Sequence, residues 1–207
     1  MDECYSEEYT ESVNHGHGTI LVNLEELTAG RKCSSVKQSD GIVHAVYRGW
    51  MLTPEQYELL YDEFAEKNIF LINTPKQYTH CHCLPNWYDD FKDVTPLSVW
   101  SEDTSFQSLH SMLIQFGDEP VIAKDFVKSR KHEWYDACFI RSAAATKNAL
   151  RVIYTFLDRQ GDDFVGGIVL RKYEELVFCG YHPESGMRMS EEYRAFFFGG
   201  KLVLCKP

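Results

Sequence analysis

The stretch Val121-Ile-Ala-Lys-Asp-Phe-Val-Lys-Ser-Arg-Lys-His-Glu-Trp134 decides how this chain is read. Residues 121–127 have the apolar pattern of a buried strand, yet Lys124 lies inside it. A buried Lys is rare unless its charge is paired. Strand side chains alternate, so Lys124 and Lys128 are expected on one face about 13 Å apart, with Asp125 on the other. One amine deep on a sheet and a second at the mouth of the following loop suit a polyphosphate, because Lys is a flexible point charge for phosphate oxygens. Taken singly, Lys128, Arg130 and Lys131 read as solvated surface cations, and Lys124 is the residue such a reading does not cover.

Outward from this stretch, strand and helix patterns alternate, which points to an α/β to α+β chain. Upstream, residues 5–15 suggest a short helix, and Thr19–Val22, Ile42–Tyr47 and Ile69–Ile72 suggest strands. Thr53-Pro-Glu-Gln56 is a helix start with a cap, a Pro at the first helical position and a capping-box Gln. Tyr57, Leu60, Tyr61 and Phe64 then mark one apolar helical face. Thr74-Pro-Lys-Gln77 repeats the start signal, residues 89–105 read as polar turns, and Phe106, Leu109, Leu113 and Phe116 mark another helix. Gly117-Asp-Glu-Pro120 is the expected lobe boundary, giving an N-terminal α/β lobe over 1–118 and a second domain over 119–207. Downstream, Ala149, Val152, Ile153 and Phe156 predict a helix, and Ile168–Tyr173 a strand sharing a sheet with 121–127. The final segment, Arg194-Ala-Phe-Phe-Phe198, Gly199-Gly200 and Lys201-Leu-Val-Leu-Cys205, predicts a hairpin whose turn needs positive φ.

Three further groups carry possible chemistry. Arg171 and Lys172 are adjacent on one strand and face opposite ways, so at most one meets a shared ligand there. Arg194, which follows Glu191-Glu192-Tyr193, can grip phosphate or carboxylate, or pair with its acidic neighbours. His80-Cys81-His82-Cys83 has the residue types of a zinc site, but as a strand it would place His and Cys on opposite faces. No second ligand pair is evident, so zinc is not expected. The P-loop, the G-x-G-x-x-G turn and the G-x-S-x-G elbow are all missing from the sequence.

Composition narrows the partners. A net charge of −10, from 31 acidic and 21 basic residues, argues against a nucleic-acid partner. Aromatics at 14% are spread along the chain, which argues against a long disordered tail. The seven Cys are irregularly spaced behind an acidic N-terminus, and no apolar run approaches a membrane span. Free thiols in a reducing, cytoplasmic compartment are the expectation.

Taken together, several segments resemble one bacterial and phage branch of the ATP-grasp superfamily. They are Tyr47-Arg-Gly-Trp-Met-Leu52, Asn73-Thr-Pro75, Tyr78-Thr-His-Cys-His82 with Leu84-Pro85, Lys124 to Trp134, Ala137-Cys-Phe-Ile140, Gly166-Gly167 to Arg171, and Glu192-Tyr-Arg-Ala-Phe196. The resemblance runs over roughly residues 17–205. It implies a small N-terminal α/β lobe and α+β subdomains that clamp ATP. It also implies a ligase reaction in which ATP phosphorylates a carboxylate and an amine or thiol attacks the acyl-phosphate. By resemblance Lys124 reaches the α-phosphate side, Lys128, Arg130 and Lys131 lie in the small loop over the phosphates, Arg171 and Lys172 lead to the adenine hinge, and Arg194 lies near the γ-phosphate. Relatives usually carry Glu where Lys172 stands, which puts the ribose and adenine contacts in question. The resemblance also implies Mg²⁺ held by carboxylates beyond Arg194, but residues 195–207 contain no Asp or Glu. An incomplete C-terminal part is therefore expected, and ATP binding without turnover is the alternative to a working ligase. Nothing in the sequence marks the pocket for the acceptor substrate.

Overall fold

A computed structural model describes residues 2–33, 36–184 and 186–206. The chain divides into two compact units, Met1–His82 and Cys83–Pro207.

In the first unit, the start signal at Thr53 works as its residues dictate. The Thr53 side chain accepts from the Gln56 amide, the Gln56 side chain accepts from the Thr53 amide, and helix Pro54–Ala65 follows. Preceding helices are α1 (Ser6–Asn14) and α2 (Leu24–Thr28), so Pro54–Ala65 is α3. Its apolar stripe, Tyr57, Leu60 and Phe64, packs with Leu27, Leu52, Ile69 and Leu71 into one core. The strands β1 (Val43–Ala45) and β2 (Ile69–Leu71) pair in parallel beside it. Buried in the same unit, Glu63 accepts from the Cys33 amide at 2.7 Å and pairs with Lys67 Nζ at 2.7 Å. The expected strand at Thr19–Val22 is irregular backbone instead. Asn23 caps α2 directly after it, and an apolar run this short does not discriminate a strand from a helix approach.

His80, Cys81 and His82 also depart from expectation. They lie in helix α4 (Pro75–His82), whose capping pair is Thr74 and Gln77, and Cys83 caps the next helix. Successive helical residues turn by about 100°, so the four side chains fan out around the axis.

The second unit is a four-stranded antiparallel sheet with helices. Its strands are β3 (Ser98–Ser101), β4 (Val121–Asp125), β5 (Phe139–Ile140) and β6 (Ile168–Lys172), in the order β3-β6-β4-β5. Residues 121–125 and 168–172 share that sheet, with Lys124 opposite Val169 and Ile122 opposite Arg171. Helices α6 (Phe106–Ile114) and α8 (Thr146–Gln160) supply Leu109, Leu113, Val152, Ile153 and Phe156 to a core with Val121, Ala123, Ile168 and Leu170. The compact units divide at His82 and Cys83, whereas the sequence suggests a boundary at 117–120. The reason is that β3 pairs with β6, which ties residues 84–114 to the second unit. Within the supposed polar stretch lie β3 and the end of helix α5 (Leu84–Phe91).

Two short ribbons complete the unit: β7 (Phe178–Tyr181) with β8 (Arg188–Ser190), and β9 (Arg194–Phe198) with β10 (Lys201–Lys206). At the tip of the second, Gly199 and Gly200 adopt φ of 55° and 75°, where a side chain would be strained. An antiparallel second unit beside a parallel strand pair in the first gives an α+β and an α/β half in one chain.

Candidate nucleotide site

The sheet of the second unit has one face for the core and one for polar work. Val121, Ala123 and Asp125 are buried, and the first two join the apolar core, while Ile122 and Lys124 face the other way. Pairing register adds Val169 and Arg171 from β6, Ser98 and Trp100 from β3 and Phe139 from β5 to the Lys124 face.

Lys124 is half-buried on this face, and its Nζ donates to the Val127 carbonyl at 3.1 Å. No carboxylate pairs with Lys124 among the described residues. Burial lowers its amine from an ordinary 10.5 to about 8; Asp125 opposes that shift, and the charges of Arg171 and Lys131 add to it. Arg171 is the second cation here. Its Nη2 donates to Thr95 Oγ1 at 2.8 Å, and its Nη1 reaches Ser98 Oγ at 3.5 Å. Its guanidinium carbon lies 5.8 Å from the centroid of the Trp87 ring on α5. Burial holds Arg171 below its usual range, and it too has no acidic partner among the described residues. Two largely desolvated cations, a diagonal cross-strand pair about 7–8 Å apart at their Cα atoms, therefore stand on one face of an acidic protein.

The loop after Lys124 does not continue the strand as expected. Asp125 turns it: Oδ1 accepts from the amides of Val127, at 2.7 Å, and Lys128, while Oδ2 accepts from Gln160 Nε2 at 3.2 Å and the Val165 amide at 3.3 Å. The extended spacing expected between Lys124 and Lys128 therefore does not apply, although Asp125 does point away from Lys124 as alternation requires. Gly166 and Gly167 make the turn possible, because a Cβ on Gly166 would meet the Phe126 ring at 2.1 Å and one on Gly167 the Ser101 carbonyl at 2.5 Å. Gly166 also has φ of 72°.

The other sequence-selected cations divide. Lys128 and Lys131 extend from this loop, and neither makes a side-chain ion pair among the described residues. Arg130 is engaged elsewhere: it pairs with Glu133 and donates to the Arg159 carbonyl at 2.9 Å and to Gln160 Oε1 at 3.4 Å. Lys172 lies on the opposite side of β6 from Arg171 and reaches Glu119 at 3.6 Å and Glu174 at 3.8 Å. Arg194 is exposed in the terminal ribbon opposite Lys206, with no hydrogen bond or ion pair to the Lys124 face among the described residues.

Trp87, Thr95 and Ser98 escaped the sequence reading because the segment that bears them looked like polar turns. Pro85 at the start of α5 was the available signal for that helix. Among the described residues no group of three His, Cys, Asp or Glu side chains could hold a metal, so the residues present do not fit a protein-held Mg²⁺. No helix among the described residues is long and apolar enough to cross a membrane.

A comparison with curated proteins finds no match. A comparison with family models finds one: residues 115–207 match an ATP-grasp domain model, the third family of its clade. That span contains β4 with Lys124, the Asp125 turn, α8 and β6 with Arg171. Residues 115–207 of this chain belong to the ATP-grasp superfamily.

Proposed function

We propose that the second unit binds ATP with its phosphates on the Lys124 face. The observation that carries this reading is the pair Lys124 and Arg171, two largely buried cations on one face with no carboxylate to neutralise them. A buried charge without a partner is costly, and an anionic ligand removes that cost. Lys128 and Lys131, on the loop that follows, extend the positive surface toward the outer phosphates. Trp87 and the Trp134–Phe139 stack, with ring centroids 5.1 Å apart, supply apolar surface at the same face.

The reaction class we propose is that of ATP-dependent carboxylate ligases. The γ-phosphoryl group passes to a carboxylate oxygen, giving ADP and an acyl-phosphate. An amine or thiol then attacks the acyl carbon and phosphate leaves. In this scheme Lys124 and Arg171 bind and orient phosphate oxygens, and the sheet face beneath them excludes water. No step is routed through Mg²⁺. A nucleotide-binding domain without turnover is the alternative. Titration of the purified chain with ATP, with ADP release followed in the same samples, tests both levels. Binding abolished by Lys124→Met supports the site, and Lys124-dependent ADP release favours the ligase. Unaltered ATP affinity in Lys124→Met would remove the site assignment.

A further inference from the structure

The loop between Lys124 and Trp134 is fastened at both ends, and its far fastening has no role in holding the core. Glu133 forms ion pairs with Arg130 and Arg159, and His132 Nε2 lies 3.1 Å from its Oε1. Arg130 also bonds the Arg159 carbonyl and Gln160 Oε1, at the C-terminal end of α8. That end of a helix carries free carbonyls and partial negative charge, which suit a guanidinium. At the near end, Gln160 Nε2 donates to Asp125 Oδ2 at 3.2 Å, and Asp125 Oδ1 accepts from the Val127 and Lys128 amides. The last turn of α8 thus holds both ends of the segment that presents Lys128 and Lys131. Burial alone would raise the Glu133 carboxyl, but the hydrogen bonds from Arg130 and Arg159 more than offset it and hold the carboxyl below its ordinary value.

We propose that Glu133 is a positioning residue for the nucleotide: with Arg130 and Arg159 it latches the Lys128–Lys131 loop to the end of α8, so that Arg130 shapes the loop rather than contacting phosphate. This rests on the ATP reading above. The free amines of Lys128 and Lys131 are useful to a polyphosphate only if the loop backbone is held, because ordering it at the moment of binding would subtract from affinity. Glu133 is only partly buried, so its replacement does not open the core.

The test uses the full chain in four forms: wild type, Glu133→Gln, Arg159→Met and the double variant. Amide hydrogen exchange without ligand is measured first, over Val127–Arg130 and over the centre of α8. Glu133→Gln is expected to speed exchange in the loop and leave residues 152–156 protected as in wild type. Titration with ATP comes second. Each single variant is expected to weaken binding about tenfold, and the double variant no more than either, because both break one latch. A merely structural role would lower protection across α8 and give additive losses, and that result overturns the inference. Unchanged loop exchange in Glu133→Gln also overturns it. Faster loop exchange with wild-type ATP affinity overturns the positioning role and leaves the ATP reading standing. Absence of ATP binding by wild type overturns the ATP reading and with it the role assigned to Glu133.

Discussion

Replacing Lys124 by Met should stabilise the ligand-free protein at neutral pH and cease to do so in mild alkali. Met keeps most of the stem and removes the charge. Burial lowers the Lys124 amine from 10.5 to about 8, a difference that corresponds to about 3 kcal/mol between the two protonation states. The folded state thus binds fewer protons than the unfolded chain between those two values, so the wild type gains stability as pH rises from about 8 toward 10.5. Below that window the full penalty of the buried charge is present, and above it the penalty is gone. Met also forfeits the Lys124–Val127 hydrogen bond, worth about 1 kcal/mol. The expected net gain is therefore about 2 kcal/mol at pH 7, falling to nothing or slightly below by pH 10. Urea unfolding at several pH values, followed by the emission of Trp87, Trp100 and Trp134 in the second unit, measures it. A Met variant that is less stable at pH 7, or whose gain does not shrink as pH rises, would refute the argument that this strand holds an uncompensated charge.

Other perturbations follow from particular contacts. Glu63→Gln should destabilise the first unit by about 3 kcal/mol, because Lys67 and the Cys33 amide lose a buried anionic partner; equilibrium unfolding that finds a change within 0.5 kcal/mol would contradict the count of contacts made there. Thr53→Ala removes the N-terminal cap of α3 and should cost about 1 kcal/mol in the same assay, with Thr53→Ser restoring most of it. Elemental analysis should give far less than one zinc per chain, because the helix fans out His80, Cys81 and His82; one zinc per chain, lost in Cys81→Ser, would overturn that.

The elements legible in the sequence are those whose signals are local. The capping pairs at Thr53 and Thr74, the apolar stripes of α3 and α8 and the Gly199-Gly200 turn each fix a backbone shape within a few residues. Lys124 stood out for the same reason, a charge inside an apolar run. What escaped depends on distant partners. Asp125 turns the chain only because Gln160 and Val165 come to meet it, from 35 and 40 residues away. Glu133 likewise diverts Arg130 toward α8, a competition that spacing along the chain does not reveal. Short β3 was hidden because its Ser98 and Ser101 look like turn residues, and only pairing with β6 makes them a strand.

The most direct test of the central claim is a set of thermal melts of wild type, Lys124→Met and Lys128→Met, each with and without ATP. At one hundred times its dissociation constant ATP should stabilise the wild type by about 2.7 kcal/mol. The Lys128 variant should keep part of that shift, since its amine lies at the loop in higher dielectric, and the Lys124 variant should keep none. A shift in Lys124→Met equal to that of the wild type would contradict the assignment of this face to the phosphates of ATP.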